Sequence, residues 1–380
     1  MSTFVPSFVP PWFLQNGLAM TVYTATVASQ TWRRSIDLRP VAYQDHIFKG
    51  HGDVPIFGRW AVPSRPLNRS GGTSGSTSGG TSGGKSGGTI IATYGITGSL
   101  DDQWQLEILC RKAYHRGYGV VMFDWRAHGK TGELSPTLTS DGIYEGEDYV
   151  ALAAAAKALG CSPPFWFMGY SLSGQLALWG AKAAMVLPDG SDPTPGSLVP
   201  GGLVRGDIGG VAVVCPSLDS NRSLKYLTDD PFRSRLEQAI AGELKRLALR
   251  LHQFHPDHFD LAAIERANSI WGFDHELVIS RLGFASVEDY YAASSPLPFM
   301  ADLSIPTLVL YAADDPLFSP EIIPDLQKIG AANPNLDLVV TNSGGHVGYY
   351  SSSAGQRQAG DSDPWWAWNR ALDWVERVGG

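Results

Sequence analysis

Short apolar runs alternate with helical patterns over most of this chain. Thr89 to Thr93, Gly119 to Phe123, Phe165 to Met168, Gly210 to Val214, Thr307 to Tyr311 and Leu336 to Val340 are runs of four or five residues, rich in β-branched or aromatic types. Runs of that length and type predict strands buried on both faces. Between them, the Ala-rich stretch Gly146 to Leu159 predicts a helix, as does Gly174 to Met185, which carries Leu176, Trp179 and Ala183 on one stripe. Strand and helix alternating at this pitch imply a mostly parallel sheet with helices on both faces.

The rhythm breaks over 217–302. That stretch is helical in pattern, with Arg235 to His252 rich in good helix formers, and it has no comparable strand run. We expect a helical cap inserted over the strand ends, where open α/β sheets hold their ligands. The whole chain, 1–380, then forms a single α/β domain. Its one low-complexity stretch, 70–88, is built from Gly, Ser and Thr with one Lys. It cannot bury enough apolar surface to offset chain entropy and is expected to be a flexible surface loop. Within it, residues 79–86 (GGTSGGKS) satisfy the P-loop pattern. A true P-loop follows a strand and opens a helix; here the strand-like run comes afterwards, so no nucleotide site is expected.

Composition narrows the classes. An apolar share of 43% supports a large core, and a net charge of −8 without any basic run argues against nucleic-acid binding. Three cysteines, Cys110, Cys161 and Cys215, have no metal-like spacing and suit buried thiols in a reducing compartment. No run of 18 apolar residues occurs, and the first residues lack a basic leader ahead of an apolar stretch. A cytoplasmic protein is expected. Nothing in the sequence decides its oligomeric state.

The chemistry concentrates in three places. Gly169-Tyr170-Ser171-Leu172-Ser173-Gly174 runs from a strand into a helix. Such a turn lifts a serine hydroxyl above the sheet and aims the following amides at a developing oxyanion. The pattern is imperfect, since Ser173 stands where glycine is usual. Asp314-Asp315-Pro316 closes a later strand, and Gly344-Gly345-His346 follows the last one. The order Ser…Asp…His is that of α/β-hydrolases. Ser171 is the expected nucleophile and His346 its base; Asp315 is preferred over Asp314 to orient the imidazole, with Asp219 third. Gly95 to Gly98 follow the strand after the loop, so the backbone amides of Ile96 and Leu172 are the expected oxyanion-hole donors.

Other residue groups have plainer readings. His252, His255 and His258 recur every three residues, but Pro256 interrupts one helical face, so surface polar residues fit better than a metal site. Asp124 and Arg126 are expected to form an internal ion pair or turn hydrogen bonds. Trp365, Trp366, Trp368 and Trp374, in a terminal helical pattern, are expected in the core.

With these residues in view, the chain resembles the YheT-like group of α/β-hydrolases, also called AB-hydrolase family 4. The resemblance rests on Pro11-Trp12-Phe13-Leu14-Gln15-Asn16-Gly17 with Met20-Thr21, and on Phe123-Asp124-Trp125-Arg126-Ala127-His128-Gly129. Phe273-Asp274, Gly283-Phe284, Asp289-Tyr290-Tyr291, Ser294-Ser295 and Ile305-Pro306-Thr307-Leu308 extend it. The group usually has His where Tyr94 stands and Gly where Ser173 stands. The resemblance implies carboxylic-ester hydrolysis on short- to medium-chain acyl esters or small lipids, with no metal or organic cofactor. It also leaves two alternatives, acyl transfer to an alcohol by the same residues, or a non-catalytic binding protein on the same fold.

Overall fold

The computed structural model describes residues 6–63, 87–189 and 202–380. The P-loop-like segment 79–86, and all but the last two residues of the 70–88 loop, lie outside them. Eight strands form one sheet in the order β1-β2-β4-β3-β5-β6-β7-β8. They are β1 (Gln44–Lys49), β2 (Pro55–Ala61), β3 (Thr89–Ala92), β4 (Gly119–Phe123), β5 (Phe165–Tyr170), β6 (Ile208–Val214), β7 (Thr307–Ala312) and β8 (Leu336–Thr341). β2 runs antiparallel to β1 and β4; every other pair is parallel. The fold is that of an α/β hydrolase.

All six expected strands form, most extended by one or two residues. β3, β4, β5 and β7 are buried along their whole length, as continuous apolar runs require. The expected helices appear as Glu145–Ala158 and Leu172–Ala184. Trp365, Trp366, Trp368 and Trp374 are buried at the start of and along the helix Trp366–Gly379, and all three cysteines are buried free thiols.

Between β6 and β7 the chain is helical. It includes Ser220–Thr228, the 22-residue Arg233–Phe254, Leu261–Arg266, Ile270–Phe273 and Val287–Ser294. This segment has its own apolar cluster, with Leu244, Ala248, Leu251, Ile264, Phe273, Val278 and Tyr290 at its centre. It sits apart from the main cluster that covers the sheet.

Three N-terminal elements were not expected. β1 and β2 add an antiparallel edge, and residues 17–34 form a nearly continuous helical segment (Gly17–Tyr23, a π-helical turn Thr24–Ala28, then two short turns). Asn16 opens it by accepting hydrogen bonds from the amides of Leu18 and Ala19. Gly17, Met20, Thr24 and Ala28 face inward.

Candidate active site

β5, β7 and β8 end on the same edge of the sheet, and each delivers one group just beyond its last residue. Ser171 follows β5 with φ 56° and ψ −131°, a conformation that a non-glycine residue adopts only under constraint. The constraint is visible around it. The Ser171 amide donates to Val214 O at 3.1 Å, and its carbonyl accepts from Gly174 N and Ser217 N. Strand and following helix nearly touch: a Cβ on Gly169 would lie 2.2 Å from Ser173 O, so only glycine fits there.

His346 lies beside Ser171, with Nε2 2.8 Å from Ser171 Oγ. Its Nδ1 is 2.9 Å from Asp315 Oδ2. A carboxylate only accepts, so the proton sits on Nδ1 and donates to Asp315, leaving Nε2 to accept from the serine hydroxyl. Asp315 is 4% exposed, and its other oxygen accepts from Leu317 N at 2.9 Å. Phe318 packs edge-on against the imidazole, with ring centroids 5.1 Å apart.

The alternative acids fall elsewhere. Asp314 accepts from Gly345 N at 2.9 Å, shaping the histidine's turn, and burial raises its carboxyl above the usual range. Asp219 caps the helix Ser220–Thr228 through Arg222 N and pairs with the Arg222 guanidinium.

The loop after β3 approaches Ser171 at Gly95, where a Cβ would sit 3.3 Å from Ser171 Cβ. Ile96 and Leu172 both line the cavity that contains Ser171 and His346. Leu172 is the first residue of its helix, so its amide has no intrahelical acceptor.

Both departures from the family pattern have structural partners. Ser173 is fully buried; its Oγ accepts from Tyr170 N at 2.9 Å and lies within donating distance of Thr93 O and Tyr170 O. Its hydroxyl therefore ties the serine turn to the end of β3. Tyr94 is fully buried beneath the loop and donates to Asp124 Oδ1 at 2.5 Å. Asp124 also accepts from Leu100 N and Lys130 N.

Of the two readings given for Asp124 and Arg126, the turn hydrogen bonds hold and a mutual ion pair does not form. Arg126 pairs not with Asp124 but with Asp148, through two bonds of 2.7 and 2.9 Å, all of it buried. Asp124 and Arg126 are adjacent but one on the chain, and the turn sends them to opposite sides. Asp124 keeps the expected turn hydrogen bonds.

Three contributors escaped the sequence reading of the site. Thr21 Oγ accepts from His346 N at 2.8 Å, bringing the N-terminal helical segment against the histidine turn. His128 stacks on Trp125, accepts from Thr97 N at 3.1 Å through Nε2, and donates from Nδ1 to Arg126 O. Burial pushes its imidazole down to about 4, so it is neutral and an acceptor near pH 7. The third is a pair of carboxyls, Asp141 and Asp274, lining the same cavity. Phe273-Asp274 was the only sequence signal toward them.

That cavity has a volume of about 380 Å³ and is largely apolar, with Leu138, Leu224, Leu244, Leu247 and Ile270 among its walls. Most of these come from the helices between β6 and β7. Burial, with the Glu145 charge adding, pushes Asp141 up to about 7. Burial and then the Asp141 charge raise Asp274 well above the usual carboxyl range, while Tyr291 donates to it.

Among the described residues no group of three or more His, Cys, Asp or Glu is arranged to hold a metal ion. His252 and His255 instead place ring nitrogens on the carbonyls of Phe259 and Gly132. No described helix is long and apolar enough to cross a membrane.

Residues 95–359 match the sequence model of the alpha/beta hydrolase family. The chain belongs to that family. A relative from Synechocystis sp., named "Putative esterase slr0264", is 51% identical over 374 residues, covering 98% of this chain and 95% of that one. "Putative esterase YheT" of Escherichia coli is 25% identical over 293 residues, 75% of this chain and 76% of its own, in keeping with the YheT-like resemblance. Human "Phospholipase ABHD3" is 27% identical over 266 residues, 69% of this chain but only 58% of the human one. In fold, this alpha/beta hydrolase superposes on the Pyrococcus furiosus esterase PF2001 with a TM-score of 0.51, at 17% identity, covering 89% and 91% of the two chains.

Proposed function

We propose that this alpha/beta hydrolase is a serine carboxylic-ester hydrolase working through an acyl-enzyme on short- to medium-chain acyl esters or small lipids. The observation that carries this reading is the continuous chain Ser171 Oγ, His346 Nε2, His346 Nδ1, Asp315 Oδ2, with links of 2.8 and 2.9 Å. Esterase-named relatives over nearly the full chain support it.

In this reading Ser171 Oγ attacks the ester carbonyl carbon as His346 Nε2 takes its proton. The carbonyl oxygen becomes an oxyanion and accepts from the amides of Ile96 and Leu172. Losing one such donor would cost about 3 kcal/mol of transition-state stabilisation. Asp315 holds the imidazole in its tautomer and stabilises the imidazolium. As the tetrahedral adduct collapses, His346 protonates the departing alkoxide, leaving acyl-Ser171. Water then attacks the acyl carbon, giving its proton to His346, and the carboxylic acid leaves with the Ser171 hydroxyl restored. The apolar cavity walls suit an acyl chain, and no step calls for a cofactor.

The test compares wild type with Ser171→Ala using a fluorophosphonate probe and p-nitrophenyl esters of rising chain length. Labelling and turnover present in wild type and lost in the variant are expected. Equal labelling of the two would refute the nucleophile. Product analysis with an added acceptor alcohol separates hydrolysis from acyl transfer.

A further inference from the structure

The first 32 residues contain no Asp, Glu, Lys, Arg or His. At the chain's 17% charged share, about five charges would be expected in such a length. Arg33 and Arg34 follow immediately, both exposed. The segment nonetheless presents large apolar side chains to solvent. Trp12 is 83% exposed, Phe13 49%, Val22 47% and Val27 46%. Phe13 rests on Tyr23, with centroids 5.9 Å apart, which joins Trp12 and Phe13 to the outer side of the helix that carries Val22. The inner side of the same segment builds the site: Thr21 holds the His346 amide, and Thr21, Thr24 and Ala25 line the cavity. Ala25 is exposed as well as lining, so the cavity opens beside this apolar face.

We propose that this face, carrying Trp12, Phe13 and Val22, docks the protein on a phospholipid surface and sets the cavity mouth against acyl lipids held there. The inference rests on the ester-hydrolase reading for what happens after docking and for the last of the three arguments for lipid below. Three features favour lipid over a protein partner. An uncharged face with aromatic side chains suits the headgroup–acyl boundary, where no specific pairing is needed. Arg33 and Arg34 at its end can meet lipid phosphates. A protein seated on Ala25 would also cover the cavity mouth, whereas a lipid surface supplies what enters it. The chain's overall charge of −8 repels anionic membranes, so a zwitterionic surface is the partner committed to.

The experiment uses the full chain with phosphatidylcholine vesicles and a Trp12→Gln/Phe13→Gln variant. Wild type and Ser171→Ala are expected to co-sediment equally with vesicles, and W12Q/F13Q to bind about tenfold less. Turnover of soluble p-nitrophenyl butyrate should be the same for wild type and W12Q/F13Q, while hydrolysis of vesicle-borne ester falls with binding. Wild type remaining in the supernatant, or equal binding by W12Q/F13Q, would overturn the proposal. So would a concentration-dependent dimer that W12Q/F13Q dissociates without any vesicle binding, since the face would then serve a second copy. Vesicle binding by a wild type that turns over no ester would instead leave docking standing and remove the hydrolase reading.

Discussion

The C-terminal edge of the sheet and the helices between β6 and β7 meet across one cavity but are built differently. On the sheet side, Ser171, Asp315 and His346 are held by strand ends, by backbone hydrogen bonds and by buried polar braces such as Ser173, Tyr94 and His128. On the helical side, the walls are mostly aliphatic side chains packed on a separate apolar cluster, with the Asp274 carboxyl among them; its partner Asp141 comes from the turn before the helix Glu145–Ala158. Directional bonds fix atoms to fractions of an ångström, as bond-making chemistry needs. Aliphatic packing tolerates exchange of one side chain for another of similar volume. Under the proposed ester-hydrolase reading, the difference puts reactivity on the sheet edge and selectivity on the helices.

The largest effect should come from the sheet edge. Ser171→Ala is expected to lower kcat/KM for p-nitrophenyl butyrate by about 10⁴-fold or more, with an unchanged circular-dichroism spectrum. Next, Asp315→Asn should reduce kcat by about 10³- to 10⁴-fold, because the imidazole would be held in the wrong tautomer. Asp314→Asn, which keeps an acceptor for Gly345 N, should stay within about tenfold of wild type. Similar losses in the two variants would erase the distinction between the orienting acid and its turn-shaping neighbour.

These chemistry-bearing groups were legible because each follows an apolar run on the sheet, and chain order then does the rest. Their braces were not. Tyr94 meets Asp124 30 residues away, Thr97 meets His128 31 away, and Thr21 meets His346 325 away, with no local pattern linking either partner to the other. β1 was hidden for a different reason. Four of its six residues, Gln44, Asp45, His46 and Lys49, are polar, and only Phe48 is buried, so it carries no apolar run. β2 contains Pro55 and Gly58, both poor strand signals. The helix at 17–31 is rich in Thr and Val, weak helix formers, and it forms because its Gly17, Met20, Thr24 and Ala28 stripe packs inward.

A brace and a wall separate the two regions more finely. Tyr94→Phe removes the bond to Asp124 while keeping the ring, and should lower kcat about tenfold with little change in KM across all chain lengths. Ile240→Phe, on the half-buried cavity wall, should leave p-nitrophenyl acetate turnover nearly unchanged and lower kcat/KM for the octanoate about tenfold. If Tyr94→Phe altered chain-length preference, or Ile240→Phe lowered turnover of every ester alike, the division between reactive edge and selective wall would fail.

The smallest effect concerns the carboxyl pair on the wall. Asp141 is pushed up to about 7, first by burial and then by the Glu145 charge, and Asp274 rises for the same first reason. A raised acid binds its proton more tightly folded than unfolded. Its contribution to stability is therefore complete below the unfolded value near 4 and is lost as pH climbs through about 7. His128 works in the opposite direction: pushed down to about 4, it contributes above its unfolded value near 6.5 and loses that contribution as pH falls toward 4. Asp141→Asn replaces the carboxyl with a neutral group of the same shape. Its Tm gain over wild type should be small at pH 5, where folded Asp141 is still protonated and only the unfolded carboxyl ionises, and should grow to about 3 °C at pH 8.5. Turnover of acetate ester should hold steady, since the substitution lies on the wall. A Tm gain of equal size at both pH values would mean that Asp141 acts through packing alone, and a fall in acetate turnover would place it with the reactive edge.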